Sequence, residues 1–432
     1  MSRHCLCLAI AQGGSPTYEP GVSAALRIRI RLALVLLVLV TLPPLAVAGG
    51  LGIAASVAVL GLGAALTGLS NSERTPPPGA FWALLAFVLW ASATTVWSPY
   101  ERSPLASNAL KIVAGVLVYW TASAALVHAA ARHPRGVGGA ALAAFAALLS
   151  ITLLDLATCY GISLRLDPVQ PGEAPESRLR DAEMNVGHGL TVALLLAPAV
   201  WVATARRLAI FGRWAAVGGV VATGVALLGA AALGGLWVGG LALGVAAVFA
   251  LAGRTAPRAS LVAAGTFAVI SLIAAPLLAW AATRLAPATK AALPFSWEHR
   301  VEGWAFIAGR LREAPLLGHG FDASRTFDAT VALRGFDMPV ISLHPHNAGL
   351  QIWLETGLVG AALASLAIVA LTRLVLAWSG HDPARAMAAA GTLAVAATIS
   401  AVSYGVWQEW WWASLFLAGG LVPVLVSVPG RD

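Results

Sequence analysis

Charged residues are scarce in this chain. Of its 432 residues, 11% are Asp, Glu, Lys or Arg and 59% are hydrophobic, whereas soluble domains are about half apolar and about a quarter charged. A soluble chain this apolar would need a core larger than the scaling of surface with volume allows. The net charge of +8 comes from scattered basic residues, without the basic and aromatic stretches typical of nucleic-acid binding. The composition excludes an ordinary soluble domain and predicts no nucleic-acid partner.

Cysteines and metal-binding motifs are scarce too. The chain has three cysteines, Cys5, Cys7 and Cys159. The expected topology puts the first two and the third on opposite sides of a membrane, which argues against a disulfide among them. The long loops contain no HExxH, CxxC or clustered acidic motif, and no nucleotide-binding motif is visible. We therefore predict no metal and no cofactor.

Long apolar runs are abundant. Each run of about 18 or more apolar residues predicts a membrane-spanning helix. We predict an all-α, polytopic integral membrane protein with about twelve transmembrane helices and one large loop containing short helices. The predicted spans are 32–48, 51–69, 80–97, 109–128, 138–157, 187–204, 214–231, 234–252, 259–282, 347–372, 386–406 and 411–427. Gly234 and Gly235 mark the predicted hairpin between spans seven and eight.

Arginines between the spans set the predicted orientation. Positive residues accumulate in cytoplasmic loops, and a cytoplasmic N-terminus places most inter-span arginines inside. Residues 1–31 are then a cytoplasmic segment leading into a signal anchor, and 428–432 form a cytoplasmic tail. Four tryptophans are expected at the outer interface of the membrane, where indole rings prefer to lie: Trp407, Trp410, Trp411 and Trp412.

Two long loops lie on the outer side of this topology. One, near 158–186, falls within the block of spans one to nine at 32–282. The other, 283–346, precedes the block of spans ten to twelve at 347–427. Loops of this length usually have a function, so we predict that the 283–346 loop carries the chemistry.

The most distinctive string begins where the large loop re-enters the membrane. It starts at His344 and reads HPHNAGLQIWLETGLVG. A helix beginning near its second histidine would put five residues on one face: His346, Leu350, Trp353, Gly357 and Gly360. The two glycines would let another helix approach closely, and His346 or Asn347 would satisfy free amides of the first turn. An interfacial capping histidine above two packing glycines is the alternative interpretation.

Arg300 lies in a predicted amphipathic helix over 298–313. Val301, Trp304 and Ile307 belong to its apolar stripe, and Arg300 projects within that stripe. A guanidinium turned towards protein needs an anionic partner, because unpaired burial costs several kcal/mol. Two partners are open: a loop carboxylate such as Glu298, or the phosphate of a ligand, which arginine binds through two parallel hydrogen bonds.

Arg178 and Arg180 precede span six and form a second candidate anion site. A lipid-headgroup contact or a simple salt bridge explains them equally well. Glu355 lies within span ten, where a carboxylate is either functional or paired with a neighbouring helix. His188 and His319 are interpreted as ordinary loop histidines.

The His346 string resembles the signature of the bacterial O-antigen ligase family, within its superfamily with O-antigen polymerases. The resembling features are the His-Asn pair, nine further residues, a glycine and a second glycine three residues later. Arg300, Trp304 and the stretch APLLGHGF at 314–321 are similar to the family's loop before this motif. The resemblance covers about 295–365 and is topological elsewhere. One departure is clear: the family's second arginine is missing from 228–237, which reads LGAAALGGLW.

The resemblance implies transfer of a glycan from undecaprenyl pyrophosphate to an acceptor sugar at the periplasmic face of the bacterial inner membrane. It favours O-antigen ligation to lipid A-core in lipopolysaccharide biosynthesis, with an O-antigen or exopolysaccharide polymerase as the alternative. Membrane lipids are the remaining expected partners, and a membrane transporter is the alternative from another class. The predicted site comprises catalytic His346 and Arg300, substrate-binding Arg178, Arg180, Asn347 and His344, and structural Gly357 and Gly360.

Overall fold

The computed structural model describes residues 24–68, 78–102, 107–166, 174–235 and 237–427. These residues are mainly helical. The helices preceding the large loop are α1 (Ala24–Ala48), α2 (Gly52–Leu66), α3 (Gly79–Ala93), α4 (Asn108–Arg132), α5 (Pro134–Ala157), α6 (Ser163–Leu166), α7 (Pro175–Leu208), α8 (Arg213–Leu233), α9 (Trp237–Thr255), α10 (Pro257–Ile273) and α11 (Ala275–Arg284). The remaining helices are α12 (Pro287–Ala291), α13 (Phe295–Glu313), α14 (Ala348–Ser379), α15 (Pro383–Val402) and α16 (Glu409–Val426).

The prediction of an all-α membrane protein with many spans is confirmed. Within the described ranges, nine helices are long and apolar enough to cross a membrane. The pair α10 and α11, bent by 52°, makes a tenth if counted as one span. The described part of each predicted span lies mainly on a helix or on this bent pair, with α1 and the shorter α2 occupying the first two positions. The predicted hairpin at Gly234 and Gly235 separates α8 from α9, and Gly235 has a φ of +64°.

Helix α7 forms the centre of the bundle. In its most apolar window 89% of the residues are buried, against 17% for α8. The reason is its composition, because an unbroken apolar run covers all sides of the helix between Val192 and Ala203. Helix α8 instead leaves much of its apolar surface facing outwards, as expected of a span in contact with lipid.

Helix α7 also begins earlier than predicted. Span six was expected to start at 187 after a loop, but residues 175–186 are helical. Pro175 at the first helical position and Glu176 in the first turn both favour a helix start there. Arg178 and Arg180 therefore lie on a helix rather than in a loop.

The large loop contains a small sheet that the sequence did not predict. Strands β1 (Thr330–Leu333) and β2 (Phe336–Pro339) pair antiparallel, with Leu333 opposite Phe336. Arg334 and Gly335 connect them with φ values of +49° and +86°. Two positive φ values at the centre of a two-residue turn match the right-handed twist of a hairpin.

Candidate active site

His346 lies just before α14 and not on it. Its φ is +53°, and Asn347 is the N-cap, whose side chain accepts a hydrogen bond from the Leu350 amide at 2.9 Å. The predicted cap is thus confirmed for Asn347, but the predicted helix face beginning at His346 is wrong. The loop fixes this geometry from the other side, because Trp304 Nε1 on α13 donates to the Pro345 carbonyl at 2.8 Å.

The imidazole of His346 is oriented by the connection between α15 and α16. Its Nδ1 lies 2.9 Å from the Ser403 carbonyl oxygen. A carbonyl only accepts, so Nδ1 carries the proton and Nε2 is left as an acceptor. Nε2 has no hydrogen-bond partner among the described residues. Burial, and then the charge of Arg300, lowers the pKa of His346 to about 4, so the ring is neutral at pH 7.

Arg300 supplies the positive charge beside this imidazole. It lies on α13, with its guanidinium carbon 5.2 Å from the centre of the Trp297 ring. Its Nε is buried and makes no hydrogen bond within the described residues. Burial lowers the pKa of Arg300, and its charge in turn lowers the pKa of both His344 and His346. Arg300 is therefore near enough to both histidines to act on them electrostatically.

The loop carboxylate considered as a partner of Arg300 is paired elsewhere. Glu298 is 6% exposed, and its Oε2 lies 2.9 Å from Nε of Arg334. Among the described residues no carboxylate forms a salt bridge with Arg300. A partly buried cation without an anionic partner is costly, and an anionic ligand would remove that cost.

His344 is packed within the loop. It is 8% exposed, and its Nδ1 accepts from the His346 amide at 3.2 Å. The ring centres of His344 and His346 are 4.5 Å apart in an edge-to-face arrangement. Gly405 leaves the room for this ring, because a Cβ there would lie 2.8 Å from it. Burial first, and then the charges of His346, Arg325 and Arg300, lowers the pKa of His344 to about 3.

Helix α14 is broken at Gly357. This residue has φ +66° and ψ −164°, outside the helical region. The loop segment 314–320 pairs with the break: the amides of His319 and Gly320 donate to the carbonyls of Leu354 and Glu355 at 2.8 and 2.9 Å. The Leu358 amide donates to the Pro315 carbonyl at 2.9 Å. The break therefore ties the large loop to the membrane helix.

The predicted role of the two glycines is corrected by this geometry. A Cβ on Gly357 would lie 2.3 Å from the Leu316 carbonyl oxygen, so it is a loop and not a helix that approaches there. At Gly360 a Cβ would meet the side chain of Thr356, one turn earlier in α14. Because the helix is interrupted at Gly357, the two glycines do not continue one regular face with Leu350 and Trp353.

Glu355, which the sequence analysis left as either functional or paired with a neighbouring helix, is a buried carboxylate whose partners the sequence did not reveal. Glu355 is 0% exposed and accepts from the Asp322 amide at 2.9 Å and from Ser324 Oγ at 2.5 Å. Gln351 and the Trp407 indole also donate to it. A carboxylate in an apolar span was a usable signal, but its partners come from the large loop and from the connection before α16 rather than from a neighbouring helix.

The connection 403–408 between α15 and α16 was also missed as part of the site. Ser403 orients His346, Gly405 accommodates His344, and the Val406 amide donates to Gln351 Oε1 at 2.8 Å. The tryptophans of this region do not lie at a lipid interface as predicted, because all four are buried, at 1–8% exposure: Trp407, Trp410, Trp411 and Trp412.

Arg178 and Arg180 lie farther out along α7. Tyr404, in the 403–408 connection, contacts the Gly187 carbonyl at 3.4 Å, and Arg178 is about 13 Å from Gly187 along the helix axis. Arg178 donates to the Leu164 carbonyl at 2.7 Å, whereas Arg180 is exposed. The structure thus gives Arg178 a contact with the short α6 and leaves the Arg180 side chain open to solvent.

Part of this chain resembles known proteins. A protein of Rickettsia bellii (strain RML369-C) named "Putative polysaccharide ligase" is 36% identical over 133 residues, which are 30% of this chain and 32% of that protein. A protein of the same description from Rickettsia prowazekii (strain Madrid E) is 31% identical over 135 residues, with the same two shares. No protein-family profile matches the chain, and no solved structure does. The chain spans about a third of the length of the curated relatives it matches, and over that stretch it is similar to proteins named "Putative polysaccharide ligase".

Proposed function

We propose that this protein transfers a preassembled glycan from undecaprenyl pyrophosphate to an acceptor sugar. The proposed acceptor is lipid A-core, so that the reaction is O-antigen ligation in lipopolysaccharide biosynthesis. The proposed place is the periplasmic face of the bacterial inner membrane, with both termini cytoplasmic. Similarity to polysaccharide ligases and the many apolar helices support this proposal.

The observation that carries the proposal is the shared neighbourhood of Arg300 and His346. One is a partly buried cation without a carboxylate partner in the described chain, and the other is a neutral imidazole with an unoccupied Nε2. A reaction that needs a base next to an anion-binding group fits this pair. Glycosyl transfer from a pyrophosphate has both needs.

His346 is the proposed base. The acceptor hydroxyl oxygen attacks the anomeric carbon of the donor sugar, and its proton passes to His346 Nε2 as the new C–O bond forms. The bond from the anomeric carbon to the pyrophosphate oxygen breaks with its electron pair. The hydrogen bond from Nδ1 to Ser403 holds the ring in the required tautomer.

Arg300 is the proposed stabiliser of the leaving group. Undecaprenyl pyrophosphate departs with additional negative charge on its bridging oxygen, and a guanidinium placed there stabilises that charge in the transition state. A bound pyrophosphate would also provide the anionic partner that Arg300 lacks. The anion opposes the effect of Arg300 on His346 and thereby makes His346 a stronger base.

The other predicted site residues have proposed secondary roles. Arg180 is exposed on the first turns of α7 and would meet the donor phosphates or glycan at the edge of the site, whereas Arg178, which donates to the Leu164 carbonyl, would support the binding region by holding α6 against α7. Asn347 is 1% exposed and caps α14, so its contribution to binding would be to fix the backbone next to His346.

The test is transfer by the purified full chain in proteoliposomes. Wild type receives a synthetic undecaprenyl-pyrophosphate oligosaccharide with lipid A-core, and in parallel the donor alone. Glycosylated lipid A-core indicates a ligase, whereas lengthened donor chains indicate a polymerase. His346→Ala should lower the rate about 10²- to 10⁴-fold, while His381→Ala, a histidine in the connection between α14 and α15, serves as the control. If wild type makes neither product, or His346→Ala keeps the wild-type rate, the proposal is wrong.

A further inference from the structure

The two histidines of the motif are held in opposite tautomers. His346 carries its proton on Nδ1, which donates to the Ser403 carbonyl. His344 receives the His346 amide proton at its own Nδ1, over 3.2 Å. An amide N–H only donates, so Nδ1 of His344 is unprotonated and its proton lies on Nε2. The ring of His344 has no free acceptor nitrogen left for a substrate.

Gln408 completes the assignment for His344. Its Nε2 lies 3.4 Å from His344 Nε2, which would oppose two N–H donors, while its Oε1 is buried without a hydrogen-bond partner in the described chain. The two amide ends of a glutamine are exchangeable by a half-turn. With that turn the Gln408 oxygen accepts from His344 Nε2–H, in place of the contact between two donors. The buried position of His344, at 8% exposure, leaves little room for any other partner.

The hydrogen bond at His344 Nδ1 acts on the backbone of the next histidine. His346 has φ +53°, a left-handed conformation that a residue with a Cβ adopts at a cost. The bond from the His346 amide to a side chain two residues earlier is the geometry of an Asx turn, with Pro345 between them. Trp304 holds the Pro345 carbonyl from the α13 side, so the three-residue turn is fixed at both ends.

We propose that His344 is a positioning residue, which holds His346 in its left-handed backbone conformation through Nδ1 and does not touch the substrate. This inference rests on the proposed function, because His346 matters here as the base. It replaces the predicted substrate contact of His344 with an intramolecular one. The only part of the side chain that the role requires is an acceptor at the δ position.

Two substitutions separate this role from substrate binding. His344→Asn keeps an acceptor atom where Nδ1 stands and forms the same turn. His344→Gln keeps a polar atom nearer the Nε2 position and loses the δ acceptor. We expect His344→Asn to transfer glycan at close to the wild-type kcat, and His344→Gln and His344→Ala to lower kcat about 10- to 100-fold with an unchanged KM for the donor. A raised KM in every variant, or equal rates for Asn and Gln, would overturn the inference.

A second readout does not depend on activity. In protein labelled with ¹⁵N in its histidines, protonated and unprotonated ring nitrogens resonate in separate regions. The inference expects His346 to be protonated at Nδ1 and His344 at Nε2, and expects the His346 signals to persist in His344→Asn but to change in His344→Gln. A His344 protonated at Nδ1 contradicts the inference directly. Absence of transfer by wild type, with these tautomers present, refutes the proposed function and leaves the positioning role standing.

Discussion

Arginines lie on the loop side of the bundle in two regions, α13 and the first turns of α7, and the guanidinium groups have different partners in the two. On α13, Arg300 stacks over Trp297, has no carboxylate partner among the described residues, and acts electrostatically on two histidines. On α7, Arg178 donates to a backbone carbonyl, that of Leu164, at 2.7 Å. The two arginines therefore differ in their partners: Arg300 has no carboxylate partner in the described chain, and Arg178 contacts a backbone carbonyl.

The surroundings of Arg178 reinforce the difference. Asp155, at 0% exposure, accepts from the Ile162 and Ser163 amides at 2.7 and 3.0 Å and from Ser163 Oγ at 2.5 Å. The carboxylate therefore organises the turn that leads into α6, and Arg178 holds the end of the same turn. The Asp155 carboxylate is hydrogen-bonded at both oxygens, and one guanidinium nitrogen of Arg178 contacts a backbone carbonyl, as expected of a structural element. The Arg300 region keeps its charge unmatched.

The largest effect is expected from removing Arg300. Arg300→Ala should lower the rate of glycan transfer about 10²- to 10³-fold, because it removes charge stabilisation from the leaving pyrophosphate. The thermal stability of Arg300→Ala in detergent should not fall, because the substitution removes a partly buried cation that has no carboxylate partner in the described chain. Arg300→Lys should be intermediate, because it keeps the charge but not the planar fork.

Arg310→Ala is the matched control on the same helix. Arg310 forms an exposed pair with Glu313 at 3.0 Å, and such pairs contribute at most about 1 kcal/mol. We expect near wild-type transfer from this variant. An equal loss of rate in Arg300→Ala and Arg310→Ala, or a large loss of stability in Arg300→Ala, would show that Arg300 has a structural role.

Substituting Gly357, where the large loop pairs with the break in α14, should lower the stability of the protein. At Gly357 an alanine would need φ +66° with ψ −164°, a conformation nearly confined to glycine, and its Cβ would meet the Leu316 carbonyl. We expect Gly357→Ala to lower the free energy of unfolding by about 3 kcal/mol. Gly309→Ala, in regular helix with open space at the Cβ position, should raise it by up to about 1 kcal/mol. Equal thermal midpoints for the two variants would show that the break at Gly357 is not required.

The smallest effects are expected on α7. Arg178→Ala should lower stability by about 1–2 kcal/mol, because it leaves the Leu164 carbonyl without its charged donor, with kcat unchanged. Arg180→Ala should keep stability and raise the KM for the donor by less than about tenfold, because its exposed guanidinium adds a screened contact. Steady-state kinetics with the lipid-linked donor separates the two. A large loss of kcat in either variant would show that the α7 arginines contribute to the transfer rate as Arg300 is proposed to do.

The sequence predicts the helices well because each span carries its own apolar signal. The described parts of the predicted spans fall mainly on helices, and the amphipathic helix around Arg300 is present as α13, with Val301, Trp304 and Ile307 buried. Periodicity and hydropathy are local properties, so long elements follow from them. The start of α7 was predicted too late in the chain, because its first turns, around Arg178, are polar and resemble a loop.

The fine structure of the site is not local, and the sequence interpretation missed it for that reason. Nothing in the string that starts at His344 shows that His346 is left-handed and precedes the helix, or that Gly357 interrupts the helix. The partners of Glu355 come from residues 322, 324 and 407, which only tertiary folding brings together. The tryptophans were assigned to lipid because indole rings favour interfaces, but they pack inside the protein.

The proposed function requires Arg300 and His346 to face one phosphate-bearing ligand, and the pKa of His346 tests this most directly. Without ligand, burial and Arg300 hold that pKa at about 4. Bound undecaprenyl pyrophosphate places negative charge beside the imidazole and favours its protonated form, so the pKa should rise by about one unit or more, even though the ligand removes some water. The measurement is a ¹⁵N NMR titration of histidine-labelled protein in lipid nanodiscs, with and without undecaprenyl pyrophosphate, using His346→Ala to assign the signal. An upward shift in wild type that is diminished in Arg300→Ala is the predicted result, and an unchanged His346 pKa with the lipid bound would contradict the account.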